Sequence, residues 1–298
     1  MNYLINAFRG FCMALADSVP GVSGGTIAFI LGFYDKFINS LNDLFYGGMT
    51  EKKEAIIFLI KLGIGWIIGM VLASLVLTSL FEKEIYNISS LFLGFIVFSI
   101  PLIIKEEKDN LKGRYQNLIF LVIGIIVVSF ITYFNPISGS SNIVNIASLN
   151  IGLILYIVLA GMIAISAMVL PGISGSTLLL IFGLYIPIMN AIKEVLHMNF
   201  SYLPALICFG IGVVGGIFLV IRLIKWCLEK HRSATVYLII GLMLGSLYAI
   251  IMGPTTLEEP LNALSFDTFS ILFFLIGGLV IFGLEKIKNY LSNKNIED

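Results

Sequence analysis

The chain has 298 residues, of which 58% are apolar and 12% charged, and its formal net charge is zero. A soluble domain carries about 25% charged residues, so this composition suits a bilayer rather than water, and without a positive balance there is no electrostatic footprint for nucleic acid. Cys12, Cys208 and Cys227 lie far apart in or beside apolar runs and read as small hydrophobes, not as a disulfide framework.

Ten apolar segments follow one another, roughly 4–18, 22–40, 55–80, 89–104, 116–134, 150–169, 173–190, 203–224, 236–252 and 268–285. A spanning helix needs about 20 mostly apolar residues, and helices are the expected element because lipid leaves backbone groups nothing else to bond. Arg9 follows uncharged residues and no A-x-A site ends a short apolar core, so Met1 is expected to begin the mature protein. Loop 105–115 carries Lys105, Lys108, Lys112 and Arg114, loop 222–235 carries Arg222, Lys225, Lys230 and Arg232, and the tail carries Lys286, Lys288 and Lys294. The positive-inside rule places these loops in the cytoplasm, together with loop 41–54 and its Lys52 and Lys53. Loop 135–149 has no charge and loop 253–267 has only Glu258, Glu259 and Asp267, so both should face outside. The pattern requires both termini in the cytoplasm, with segments 1–2 and 6–7 each entering and leaving on one side.

The chain also repeats itself. Pro20, Gly21, Ser23, Gly24 and Thr26 recur at an offset of 151 residues as Pro171, Gly172, Ser174, Gly175 and Thr177. Ile30, Gly32, Tyr34 and Asn39 recur as Ile181, Gly183, Tyr185 and Asn190. At an offset of 147, Gly63, Gly65, Gly69 and Gly94 meet Gly210, Gly212, Gly216 and Gly241. A repeat over nearly the whole chain outweighs any single motif. Each half, 1–147 and 148–298, holds five segments; an odd number means that the second inserts upside down. The expected fold is an all-α polytopic membrane protein with an inverted-topology repeat, each half a re-entrant helical hairpin (4–40 and 150–190) plus three transmembrane helices (55–80, 89–104, 116–134 and 203–224, 236–252, 268–285). Two ordinary spanning helices in place of each hairpin fit the loop parity equally. In secondary transporters such repeats frame a midplane substrate site.

Proline and glycine should bend each hairpin at its Pro-Gly-x-Ser-Gly motif. A helix is expected to start just after it, around Thr26 and Thr177. The first N–H groups of a helix lack internal partners and carry positive potential, which suits phosphate. Ser23, Gly24, Gly25 and Thr26, with Ser174, Gly175, Ser176 and Thr177, are therefore the candidate anion-binding residues. The blander reading is that the hydroxyls cap helices while the glycines allow close packing.

Arg9-Gly10, then Ala16-Asp-Ser-Val-Pro-Gly-Val-Ser-Gly-Gly-Thr26 with Gly32 and Tyr34, resembles the PopT-type polyprenyl-phosphate translocase family, and Pro171-Gly-Ile-Ser-Gly-Ser-Thr177 with Gly183-Leu-Tyr185 resembles its second signature. The resemblance covers nearly the whole length. It implies a bacterial plasma-membrane protein that returns undecaprenyl phosphate to the cytoplasmic leaflet for cell-wall synthesis. The partners implied are that lipid and the surrounding membrane; homo-oligomerisation is left open, and neither cofactor nor metal is implied.

Asp17 stands beside the first motif, where its repeat partner is Met168. A carboxylate at membrane depth is a functional hypothesis by default: it could titrate and couple proton movement, or simply bond nearby backbone N–H groups. Arg9, whose repeat partner is Ala160, could draw in a phosphate headgroup or snorkel. Lys61, Arg222 and Lys225 read first as snorkelling side chains, with Lys61 the best phosphate partner among them. Gly210-Ile-Gly-Val-Val-Gly215 matches G-x-G-x-x-G but lies in an apolar helix without a preceding strand, so close helix packing explains it better than a dinucleotide. His197 and His231 have no clustered ligands, which argues against a metal site or a His-based hydrolase. Asn87-Ile-Ser and Asn199-Phe-Ser fit glycosylation sequons that a bacterial source would make meaningless. An ion-coupled carrier of a small soluble anion is the first rival. An intramembrane lipid-modifying enzyme is the second, and it would need a nucleophile with a positioned base.

Overall fold

The computed structural model describes residues 2–17, 23–72, 78–133, 146, 149–256 and 261–294, and among these the regular elements are all helices. They are α1 (Asn2–Asp17), α2 (Gly24–Ile30), α3 (Tyr34–Tyr46), α4 (Met49–Leu72), α5 (Thr78–Glu106), α6 (Lys108–Leu111), α7 (Leu118–Tyr133), α8 (Ile151–Val169), α9 (Gly175–Ile181), α10 (Tyr185–Leu196), α11 (Leu203–Lys230), α12 (Arg232–Met252) and α13 (Ile271–Lys294). Among the described residues six helical stretches are long and apolar enough to cross a bilayer: Met49–Leu72, Glu84–Glu106, Tyr115–Tyr133, Ile151–Val169, Phe200–Lys230 and Arg232–Thr255. The chain is a multi-pass helical membrane protein.

Two expected segments break where apolar periodicity runs on unbroken. Segment 22–40 divides into α2 and α3, and segment 173–190 into α9 and α10. The breaks fall at Gly32 (φ 67°) and Gly183 (φ 63°), the left-handed conformation that ends a helix and that glycine adopts without a Cβ penalty. At about 1.5 Å per residue, the seven-residue α2 and α9 are far too short to span.

Small residues set the pairing of the long helices. A Cβ on Gly65 would fall 1.8 Å from the Ala7 carbonyl oxygen, and one on Gly69 would fall 2.8 Å from that of Phe11. These contacts rise together, so α1 runs parallel to α4. In the second half Gly212 meets Val158 and Gly216 meets Met162, so α8 runs parallel to α11 in the same register. Gly94 approaches Phe274, and Gly241 approaches Leu121; α5 thus pairs with α13 and α7 with α12. Each of the last two pairs joins one helix from each half of the chain.

The positively charged loops gather at one end of the molecule. Arg232 donates through Nε to Glu107 at 3.0 Å and through NH1 to Asp35 at 2.8 Å, with a further bond from NH2 to Glu107. Lys225 pairs with Asp43 at 3.4 Å, so it is partnered rather than snorkelling. Asn117 donates to Ser233. The opposite end gathers the loop after α12, where Tyr86 donates to the Asn262 carbonyl and Ser270 N–H to Ser90. Burial pushes the Glu107 carboxyl up, but bonds from Arg232 and Asn110 and the Arg232 charge outweigh it and hold the group below its ordinary value. Stability from this bridge is then complete above the unfolded Glu value of about 4.3 and lost as pH falls through the lower folded value. Glu107→Gln is expected to cost about 2 kcal/mol at pH 7, and thermal unfolding of the two proteins should converge well below pH 4. A gap that persisted at acid pH would refute the assignment.

Candidate functional site

The first motif breaks the chain between α1 and α2; Pro20 and Gly21 lie outside the described residues. Ser23 is the N-cap of α2, in extended conformation (φ −131°, ψ 140°), and its Oγ accepts from Gly25 N–H at 3.1 Å. The Thr26 N–H reaches the Ser23 carbonyl at 2.9 Å. The Gly24 N–H donates to Asp17 Oδ1 at 2.7 Å, while Trp66 Nε1 of α4 donates to Asp17 Oδ2 at 2.9 Å. A Cβ on Gly24 would lie 2.8 Å from the Asp17 carboxylate, so glycine is what lets the two meet.

The second motif joins α8 to α9, with Pro171, Gly172, Ile173, Ser174 and Gly175 all buried. Gly172 takes φ +87°, and its backbone packs on Leu242, midway along α12. Thr177 is buried in the first turn of α9, and a Cβ on Gly175 would fall 2.7 Å from the Ala164 carbonyl oxygen. The Ser176 side chain lies outside the described residues.

The two tips touch. Ser23 Oγ donates to the Met168 carbonyl at 3.0 Å, with the Leu170 carbonyl at 3.3 Å, and Gly172 N–H donates to Thr26 Oγ1 at 2.8 Å. A Cβ on Gly25 would fall 2.7 Å from the Val169 carbonyl oxygen. Ser23, Thr26, Ser174 and Thr177 are all buried where the tips meet. The expected start of the helices moves two residues earlier, to Gly24 and Gly175, so both motifs contribute their last Gly to a helix. The N–H groups of Gly24, Gly25 and Thr26 are engaged by protein acceptors, so this tip is closed.

Arg9 lies two turns back on α1, away from the tip. Its NH1 donates to Asn6 Oδ1 at 3.1 Å and its guanidinium sits 4.8 Å from the centre of the Phe33 ring. Lys61 lies 3.5 Å from the centre of the Tyr3 ring. Sequence reasoning missed Trp66, which binds Asp17 across 49 residues; Tyr34, named there for the repeat, has a buried hydroxyl with no hydrogen-bond partner among the described residues.

Helices of spanning length, with two buried, polar, mutually bonded tips among them, define a multi-pass helical membrane protein with a buried polar centre. The family described as VCA0040-like: Undecaprenyl phosphate translocase-like matches residues 13–268. A polyprenyl-phosphate transporter of Staphylococcus aureus (strain NCTC 8325 / PS 47) is 37% identical over 287 residues, covering 95% of this chain and 96% of the relative. A polyprenyl-phosphate transporter of Vibrio cholerae serotype O1 (strain ATCC 39315 / El Tor Inaba N16961) is 32% identical over 273 residues, covering 88% and 82%. No solved structure matches the chain. The chain belongs to the undecaprenyl phosphate translocase-like family, whose members are named as transporters rather than enzymes.

Proposed function

We propose that this protein moves polyprenyl phosphate across the bacterial plasma membrane, as a flippase that recycles the carrier lipid of cell-envelope synthesis. The charged headgroup is the main barrier to flipping. It would rest between the two Pro-Gly-x-Ser-Gly tips while the tail stays in lipid. The contact of the tips, Ser23 with Met168 and Gly172 with Thr26, is the observation that carries this reading. It brings together two matched motifs from distant parts of the chain beside the middle of α12.

The parallel pairs and the gathering of basic loops at one end support an inverted repeat of 1–147 and 148–298. With the basic end in the cytoplasm, α1 leads inward from that side and α8 from the other, both termini are cytoplasmic, and each hairpin is re-entrant. Short α2 and α9 fit that arrangement. The structure is then the closed form: a headgroup enters only if the tips part. The headgroup oxygens would replace the Met168 and Leu170 carbonyls at Ser23 and the Thr26 hydroxyl at Gly172 N–H. Because α2 and α9 have only two turns, these discrete donors outweigh any helix dipole. Asp17 holds the Gly24 and Trp66 N–H groups, both donors that phosphate could use, so carboxylate and headgroup compete and proton uptake by Asp17 would favour the headgroup. Arg9, on the cytoplasmic approach, would meet the headgroup on that side of the tips.

The test is reconstitution into vesicles with labelled polyprenyl phosphate and inorganic phosphate as competitor. Labelled lipid should change leaflets, unaffected by free phosphate; an ion-coupled carrier of small anions would instead be inhibited by it. Ser23→Ala with Ser174→Ala should lower lipid binding about tenfold, or about 1.4 kcal/mol, in a protein that remains monodisperse. Transport at the normal rate by that double variant would overturn the tip site.

A further inference from the structure

The glycines of α11 divide into two sets. Gly212 and Gly216 bring α8 close, each within 2.6 Å of a carbonyl oxygen for an added Cβ. Gly210 would meet nothing within 4 Å, and Gly215 only the side chain of Met162, at 3.9 Å. A glycine inside a helix costs about 1 kcal/mol relative to alanine, and neither Gly210 nor Gly215 recovers it in packing. Both instead line a shallow, open groove with Phe45 of α3 and Ile211, Val214 and Phe218 of α11. The groove lies open to the lipid-facing side, with Ile211 59% and Val214 55% exposed.

One end of this groove is polar and basic. Tyr46 stacks on Phe218 (4.9 Å between ring centres) and donates to its carbonyl at 3.0 Å, which pins the end of α3 to α11. One turn beyond Phe218, the Arg222 guanidinium lies 5.3 Å from the centre of the Tyr46 ring. No carboxylate pairs with Arg222 among the described residues; the neighbouring acid, Asp43, is taken by Lys225. Positions 211, 215, 218 and 222 share one face of the helix, so a cation and an apolar trough about 12 Å long run in line. A lipid with a phosphate head and a long run of apolar units complements that order of charge and hydrocarbon.

Resting on the transport reading above, we infer that the groove between α3 and α11 seats the tail of the polyprenyl phosphate, with Arg222 meeting its headgroup on the cytoplasmic side of the tips. The experiment uses the full chain in nanodiscs of neutral phospholipid and a polyprenyl monophosphate carrying a diazirine in its tail. After irradiation, label is expected on residues 203–218 and on the segment around Phe45, above that on α7. A phosphatidylcholine with the same diazirine should label both regions alike. Gly210→Leu with Gly215→Leu should weaken binding of the long-chain phosphate about tenfold and leave geranyl phosphate within twofold, whereas Arg222→Gln should weaken both. Label spread evenly over α7 and α11, or equal labelling of the groove by phosphatidylcholine, would overturn the groove. Failure of the wild-type chain to bind the long-chain phosphate at all would instead sink the transport reading itself.

Discussion

Gly172→Ala is expected to abolish transport and to cut the yield of folded protein. At φ +87° a side chain strains the backbone by about 1–2 kcal/mol. The new Cβ would lie 2.5 Å from the carbonyl group of Leu242 in the middle of α12. Backbone cannot yield there as a flexible side chain would, so the tip itself must shift, at about 1–3 kcal/mol more. That shift also pulls Gly172 N–H from Thr26 Oγ1, a buried bond between the two motifs. The total is roughly 3 kcal/mol, a large fraction of ordinary domain stability. Gly63→Ala is the control: its Cβ meets nothing within 4 Å, so it should be neutral or stabilise α4 by up to about 1 kcal/mol. Melting in detergent and leaflet exchange in vesicles measure both variants. A Gly172→Ala protein with the wild-type melting temperature and rate would remove the tip contact from the account.

What could be read from the residues was whatever a local pattern or the repeat carries. Pro171-Gly-Ile-Ser-Gly175 marks its own bend, and the basic residues of 105–115 and 222–235 mark one end of the molecule. The breaks at Gly32 and Gly183 were harder, because apolar residues continue across them and hydropathy records composition rather than φ. Their signal was the repeat itself: a glycine followed two residues later by tyrosine, at the same place in both halves. The Asp17–Trp66 bond, the Arg232 bridge and the pairing of α5 with α13 depend on tertiary approach over long separations, and no periodicity encodes them. Lys225 read as a snorkelling side chain for the same reason, since Asp43 lies far away in the chain. The engaged amide at the first tip follows from a local point that the residues did suggest: Asp17, seven residues back, is close enough to bond the Gly24 N–H.

Asp17→Asn is expected to flatten the pH dependence of transport more than it weakens lipid binding. The carboxylate accepts two N–H donors at once, Gly24 and Trp66, at 2.7 and 2.9 Å. Asparagine keeps one acceptor oxygen but turns an N–H₂ toward the other donor, so one of the two bonds is lost. The lost bond, from a donor to a charged group, is worth about 1.5–3 kcal/mol, which loosens the closed tip. The variant also lacks the negative charge that would repel or compete with a headgroup. If Asp17 couples proton uptake to headgroup entry, wild-type transport should vary with pH while the variant should run at a nearly constant rate, as though its tip were permanently protonated. Trp66→Phe separates the two effects, because it removes one donor and leaves the carboxylate: its tip should loosen too, but its pH profile should keep the wild-type shape. A pH profile of leaflet exchange for the three proteins decides the matter. An Asp17→Asn profile that follows the wild type would leave Asp17 with the structural task of capping Gly24 and anchoring Trp66, and the coupling would have to be sought in another group.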